Sequence, residues 1–298
     1  RIVKAGGKLR TCVGTHEERA IAQLAVRRAR ARGAFLDTGA LVDAWSMQLL
    51  DPMIDYFGTL TIARETLDEL VSLREKQCWD ADRESMTMGF DGDQAYRVMH
   101  SPEEKTRNLA NLEKLIIFAR DRLAIIADDG AEISMTAPLA ASGFGEFLQP
   151  VALAVEHQLL LISDDLHLRQ IADAESWDRH CWLQAMALEF RDQELLDAQS
   201  YARVAAQCAL SGKHFVTVDT QSLLALLGLD ENDGAFAILA ERIGGPSADM
   251  PSHLGVVVAV AESVWALELA HWKKGRALGR LLTALVSGLE DRVWLFLI

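Results

Sequence analysis

Apolar residues fall into two patterns along the chain: short solid runs of three to five, and longer stretches where they recur every third or fourth position. Interleaved, these patterns predict strands alternating with amphipathic helices. From His16, the positions Ala20, Ile21, Leu24 and Ala25 predict a helix through about Ala31, ended by Gly33. Ala34-Phe35-Leu36 then forms a strand that stops at Asp37, and Leu41, Val42, Trp45 and Leu49 predict a helix to about Leu50, broken by Asp51-Pro52. Thr59 to Ala63 is a second strand, followed by a helix from Arg64 to Leu73 in which Thr66, Glu69, Leu70 and Leu73 share one side. That spacing turns Glu69 inward with the leucines, where a carboxylate needs a partner: a salt bridge to Arg64 or Arg74, or a metal shared with Asp37.

Residues 80 to 102 are polar and glycine-containing, an exposed insertion without a readable pattern. Pro102 to Arg120 predicts a long amphipathic helix with Glu103 and Glu104 in the first turn, where the helix dipole favours them. Leu123 to Ala127 is a third strand, ending in Asp128-Asp129-Gly130, most simply a turn. A helix over Phe147 to Glu156 holds Pro150 in its first turn, and Leu159 to Ile162 follows as a fully buried strand that runs directly into Ser163, Asp164, Asp165 and a helix. This last unit repeats the layout around Asp37. Beyond it the pattern turns helical, over Trp177 to Phe190 and Leu195 to Leu210. Lys213 to Asp219 resembles one more strand, with Asp219 an N-cap for the leucines behind it and His214 half-buried. Helices over Ala235 to Ile243, His253 to Trp272 and Gly275 to Leu289 complete the chain, and Val293 to Ile298 is too apolar for a free tail. The expected fold class is therefore α/β: a central, mostly parallel sheet flanked by helices, with a mainly helical C-terminal extension. The expected divisions are a basic, helical segment 1–32, an α/β domain 33–230 and a helical unit 231–298.

Half of the 298 residues are apolar, enough for a sizeable core. No stretch reaches the ~20 clean apolar residues of a membrane span, since Leu254 to Trp272 carries Glu262 and Glu268. Cys12, Cys78, Cys181 and Cys208 show no CxxC spacing, which argues against a zinc site and fits a reducing cytoplasm. The chain starts at Arg1 without a signal peptide and reads as a fragment or processed product. A net charge of -13 argues against a simple nucleic-acid-binding protein, but residues 1–32 hold nine Lys/Arg against two acids. That asymmetry marks either a nucleic-acid-binding arm or a solvated helix face. Lys273-Lys274-Gly275-Arg276 poses the same choice, with solvated charge the simpler reading.

A strand ending in Asp37-Thr38, a Glu69-Leu70 pair on the next helix and a strand ending in Ser163-Asp164-Asp165 occur in one order, which resembles the PIN family of metal-dependent nucleases over about residues 33 to 175. The resemblance implies Asp37, Glu69 and Asp165 as the acids that hold Mg²⁺ or Mn²⁺. Ser163 would buttress the site, Asp164 would occupy the variable middle position, and Thr38 would support the first acid. The family places a further Asp at the start of the helix before the last strand. Here Glu146 is the nearest carboxylate, about one residue off that register. The implied activity is endoribonucleolytic cleavage in the cytoplasm, with RNA as partner and Arg28, Arg30, Arg32 and Arg169 on the nucleic acid. The alternative is a catalytically degenerate PIN-like module that binds a protein partner or a second copy of itself.

The chemistry accounts for the residue types. Hard divalent cations take carboxylate oxygens, keep several waters and polarise a phosphate. Several acids at one point, without a cation, repel one another and rise in pKa.

Overall fold

The structure, a computed structural model, describes residues 10–80, 82–91, 94–127, 145–227, 229, 234–245 and 249–287; the side chains of residues 80, 90, 91, 94, 145 and 146 are outside that description. It divides into two compact units, Arg1–Met186 and Ala187–Ile298. The division falls earlier than the boundary near 231 expected from loop signals, because Lys213 to Asp219 adds no strand to the sheet and the helices after Ala187 share a core of their own.

In the first unit, helix α1 (His16–Arg28) is capped by the Thr15 hydroxyl, which accepts from the Glu18 N–H, and carries Glu17 and Glu18 in its first turn and Arg27 and Arg28 in its last. Gly33 follows at φ +91, where a Cβ would stand 2.8 Å from a Leu159 methyl, so the turn into strand β1 (Ala34–Leu36) needs glycine. Helix α2 (Thr38–Ser46) is shorter than expected, and α3 (Leu50–Phe57) begins after a break at Met47 to Leu49, where Gln48 takes φ 58. Pro52 therefore does not break a helix. It sits in the first turn of α3, where its missing N–H would have had no intrahelical partner.

Strand β2 (Leu60–Ala63) leads into α4 (Arg64–Asp80). The polar insertion is a hairpin, β3 (Ser85–Asp91) with β4 (Gln94–His100), which forms a separate antiparallel sheet. Helix α5 (Pro102–Arg122), capped by Ser101, leads to β5 (Ala124–Ile126); α6 (Gly145–Glu156), with Pro150 inside it, leads to β6 (Leu160–Ile162). Asp128 to Gly130 lie outside the described residues. After α7 (Leu166–Ala174) the chain does not continue as the helix expected from Trp177. It pairs along β6 as β7 (His180–Cys181), and α8 (Leu183–Asp192) starts only afterwards. The open edge of β6 decides this: Leu161 N–H donates to the Arg179 carbonyl at 2.9 Å and Ser163 N–H to the Cys181 carbonyl at 3.0 Å, bonds that a helix would leave unmade.

The main sheet is parallel throughout, in the order β5-β2-β1-β6-β7. Helix α6 packs on β1 and β6, α5 on β5, α4 on β2 and α5, and α1 along β7. Strands β1, β2 and β6 are buried along their whole length, which explains the unbroken apolar runs of β1 and β6 and the single polar residue, Thr61, of β2. From β1 the chain runs outward one way through β2 to β5, and later the other way through β6 to β7. The sheet therefore reverses direction between β1 and β6, and in open α/β sheets ligands bind at the carboxyl ends of the strands at such a switch point.

The second unit, among its described residues, is helical: α9 (Ala198–Leu210), α10 (Thr220–Leu226), α11 (Gly234–Ala240), α12 (Met250–Val264) and α13 (His271–Ser287). Leu223, Leu226, Phe236, Leu239, Val260 and Leu281 are buried in its core. Asp219 does cap α10, accepting from both Ser222 N–H and Oγ, and pairs with Arg191. Helix α12 ends before Trp265 and α13 begins at His271, so Lys273 to Arg276 belong to the first turns of α13 and not to a loop. Val293 to Ile298 lie outside the described residues. Among the described residues no helix is long and apolar enough to cross a membrane.

Candidate active site

Asp37 is the first residue beyond β1, at the switch point, and only 7 % of it is exposed. Its Oδ1 accepts from the Ala40 N–H at 2.6 Å, capping α2, and its carboxylate also takes the Ser163 hydroxyl. Burial raises its pKa to about 6; the two hydrogen bonds oppose the rise, while the negative charges of Asp164 and Asp165 add to it. Among the described residues no Lys or Arg forms an ion pair with Asp37.

Ser163 is fully buried at the end of β6 and works in two directions. Its hydroxyl meets the Asp37 carboxylate and accepts the Asp165 N–H at 3.1 Å. Asp165 is half-buried and caps α7, with Oδ1 accepting from the His167 N–H at 2.8 Å. Asp164 points the other way: it is buried, and its Oδ1 accepts the Leu183 N–H at 2.8 Å, at the start of α8.

Glu69 does not turn inward. It is exposed on α4, whose buried side is formed by Thr66, Leu67 and Leu70, while Leu73 is also exposed. The helix is rotated by about one position from the expected face, because Leu67 takes the inward place. Glu69 nevertheless reaches the Asp37 corner: Thr38 Oγ1 donates to its Oε2 at 3.1 Å and lies 3.0 Å from Thr66 Oγ1. Neither Arg64 nor Arg74 forms the salt bridge with Glu69 that the sequence offered as an alternative. Helix α6 begins at Gly145, and the Glu146 side chain lies outside the described residues.

The arginines expected on nucleic acid are not brought to this corner. Arg169 is 2 % exposed and faces inward, donating to the Ser163 carbonyl at 2.6 Å and to the Thr11 carbonyl. Its guanidinium lies 5.0 Å from the Trp182 ring centroid and 3.9 Å from Glu18. Burial lowers its pKa, and the nearby Asp164 charge is the strongest opposing influence. One turn of helix past Asp165 carries it into the core, a direction that a charge pattern does not reveal. Arg28 pairs with Asp178 at 3.4 Å, Arg30 stacks 5.6 Å from the Tyr56 ring centroid, and Arg32 is exposed. All three precede Gly33 and so lie at the amino ends of the strands, about 10 Å of β1 away from the acids. Thr66 and Thr11, which tie Thr38 and Arg169 in place, carried no sequence signal beyond Thr66 lying one turn before Glu69 on α4.

Residues 35–174 match the family described as the PIN domain associated with the TPR-GreAB-C-PIN system. This segment is a PIN domain. The match runs from the second residue of β1 to the last residue of α7 and so contains Asp37, Glu69, Glu146 and Asp165. Neither the curated proteins nor the solved structures contain a match to the chain. PIN domains are in general nuclease-like and divalent-metal dependent, or serve as modules of larger systems.

The oxygens here are of the type a hard cation takes: carboxylates on Asp37, Asp165 and Glu69, with the Ser163 hydroxyl on the two aspartates and the Thr38 hydroxyl on Glu69. The negative charge of Asp165 acts on Asp37, and Glu69 is hydrogen-bonded to Thr38, the residue that follows Asp37. Among the described residues, however, no group of three His, Cys, Asp or Glu side chains is close enough to hold a metal ion.

Proposed function

We propose that the PIN domain is a divalent-metal-dependent endoribonuclease whose Asp37, Glu69 and Asp165 hold Mg²⁺ or Mn²⁺ and whose Glu146 assists. The observation that carries this reading is Asp37 itself. A carboxylate buried at a switch point, raised to about 6 and without an ion pair to a basic side chain among the described residues, is an electrostatic cost that a bound cation relieves. A divalent ion there supplies a polarised phosphate and an activated water at neutral pH. The chain's own residues do the positioning. Ala40 N–H and Ser163 hold the Asp37 carboxylate; Ser163 and the first turn of α7 fix Asp165; Thr38 carries Glu69 to the same corner. Two helices, α2 and α7, start there, and their positive ends favour both the carboxylates and a phosphate. A thiol nucleophile is a poorer reading, since burial raises both Cys12 and Cys181.

Labelled single-stranded RNA with Mn²⁺ tests this. The wild-type protein should cleave it and an Asp37→Asn variant should not; equal cleavage by both ends the nuclease reading.

A second reading has its own support. Asp164 and Asp165 are both used as helix-start acceptors, and the family description sets its PIN domain within a larger system. On that reading the domain is a catalytically degenerate module that binds a protein partner or a second copy of itself. Absence of Mn²⁺ binding in a correctly folded protein would select it. None of the four cysteines is in a disulfide, which is compatible with a reducing, cytoplasmic setting for either reading.

A further inference from the structure

Two indoles stand exposed at one corner of the second unit. Trp265 is 54 % exposed and Trp272 60 %, at either end of the turn that joins α12 to α13. Single exposed apolar residues are ordinary. Here each ring also carries basic groups. Lys274 Nζ lies 5.8 Å from the Trp265 ring centroid and donates to the Trp265 carbonyl at 2.9 Å, and the His271 ring centroid is 6.3 Å from that of Trp265. Lys273 Nζ lies 5.8 Å from the Trp272 ring centroid, and the Arg276 guanidinium lies 4.9 Å from it. Between residues 265 and 280 the chain holds Lys273, Lys274, Arg276 and Arg280 against Glu268 alone, whereas residues 187–298 hold 14 acids and nine Lys/Arg. The corner is a basic island on an acidic unit.

We propose that the Trp265–Trp272 corner binds single-stranded nucleic acid, with bases stacked on the two indoles and phosphates held by Lys273 and Arg276. Exposed aromatic faces beside cations are how proteins hold unpaired strands without reading sequence: every base offers a π-face, and every nucleotide a phosphate. Lys274 is nearly buried and fixed to the Trp265 carbonyl, so it sets the ring's position more than it meets the strand. A lipid surface fits less well. Ala277, Leu281 and Leu285 of α13 are buried in the unit's own core, and the exposed stripe Trp272, Gly275, Gly279, Leu282, Val286 is interrupted by two glycines that offer no side chain. A helix that lies in a membrane needs a continuous apolar face. This binding site does not depend on the nuclease reading, because its residues take no part in holding the acids at Asp37.

Fluorescence anisotropy of a labelled oligouridylate of about ten nucleotides, titrated with the full chain in EDTA, tests the site where no cation can support cleavage. Trp272→Ala and Trp265→Ala should each weaken binding roughly tenfold. Lys273→Glu should weaken it to a similar degree and flatten its salt dependence. All three side chains are at least partly exposed, so thermal melting should be unchanged. Retention of wild-type affinity by a Trp265→Ala, Trp272→Ala double variant overturns the proposal, as does tighter binding to anionic phosphatidylserine vesicles than to the oligonucleotide. If the tryptophan variants melt early, the Lys273→Glu isotherm decides alone.

Discussion

The Arg169 guanidinium donates to the Ser163 carbonyl at 2.6 Å, and the Ser163 hydroxyl on the same residue holds the Asp37 carboxylate. A buried cation thus sits directly behind the acidic corner without touching it. Its charge faces Asp164, and its other bonds reach back to Thr11 and Glu18. The segment ahead of α1 is tied to the same place, since Leu166 N–H donates to the Arg10 carbonyl at 2.8 Å.

Arg169→Ala should therefore destabilise the protein by about 3–5 kcal/mol, since it leaves Asp164 buried without its cation and two carbonyls without a donor. Arg169→Lys should recover part of that loss, because an ammonium restores the charge but not the fork that reaches two carbonyls. Denaturant unfolding measures both. A loss below about 1 kcal/mol for the alanine variant would contradict the role given to Arg169.

Asp37 gives a pH dependence with a definite sign. Its pKa is about 6 in the fold against 3.8 for the ordinary group. Between those values the folded protein binds more protons than the unfolded chain, so stability from this group is fullest below about 4 and is lost as pH rises through 6. The loss is on the order of 3 kcal/mol. Asp37→Asn keeps an oxygen for the Ala40 N–H and cannot ionise, so it should stabilise the metal-free protein at pH 7 by about 1–3 kcal/mol and flatten the slope between pH 4 and 6. Melting in EDTA across that range measures it; a variant less stable than wild type at pH 7 would show that Asp37 is not under strain.

Thr38→Val should loosen Glu69 without disturbing the core, since Thr38 is half-buried and its hydroxyl is the link to Glu69. Removing a group that orients a metal ligand commonly lowers affinity on the order of tenfold. Calorimetric titration with Mn²⁺ should show that loss, with melting shifted little. Unchanged affinity would mean that Glu69 is not a ligand.

Arg30→Ala and Arg32→Ala should leave RNA cleavage within about twofold of wild type, as surface changes remote from a site do. Both residues lie at the amino ends of the strands, across the sheet from Asp37. A loss of cleavage that melting does not explain would show that the substrate wraps around the sheet edge.

The α/β alternation was legible because β1, β2 and β6 are buried on both faces and so read as short runs that are apolar but for Thr61, and the cap of α10 was legible because Asp219 stands directly before its leucines. The corner formed by Asp37 and Ser163 to Asp165 was legible for the same reason: Asp37 follows directly on one apolar run, and Ser163, Asp164 and Asp165 follow on another. What escaped was set by partners distant in sequence. Segment Trp177 to Trp182 has helical spacing but is drawn into β7 by the open edge of β6. Glu69 has inward spacing, yet Leu67 takes the inward place and the glutamate is held from outside by Thr38. Arg169 sits in a surface-like sequence and is buried, because Thr11, Ser163 and Trp182 together make a place for a guanidinium that no local pattern encodes.

The central claim is that Asp37, Glu69 and Asp165 share one cation, and a Mn²⁺ titration followed by electron paramagnetic resonance at pH 7 tests it most directly. The wild-type protein should bind one ion, and Asp37→Asn, Glu69→Gln and Asp165→Asn should each weaken that same site. Three variants that bind Mn²⁺ as the wild type does, while remaining folded, would contradict it.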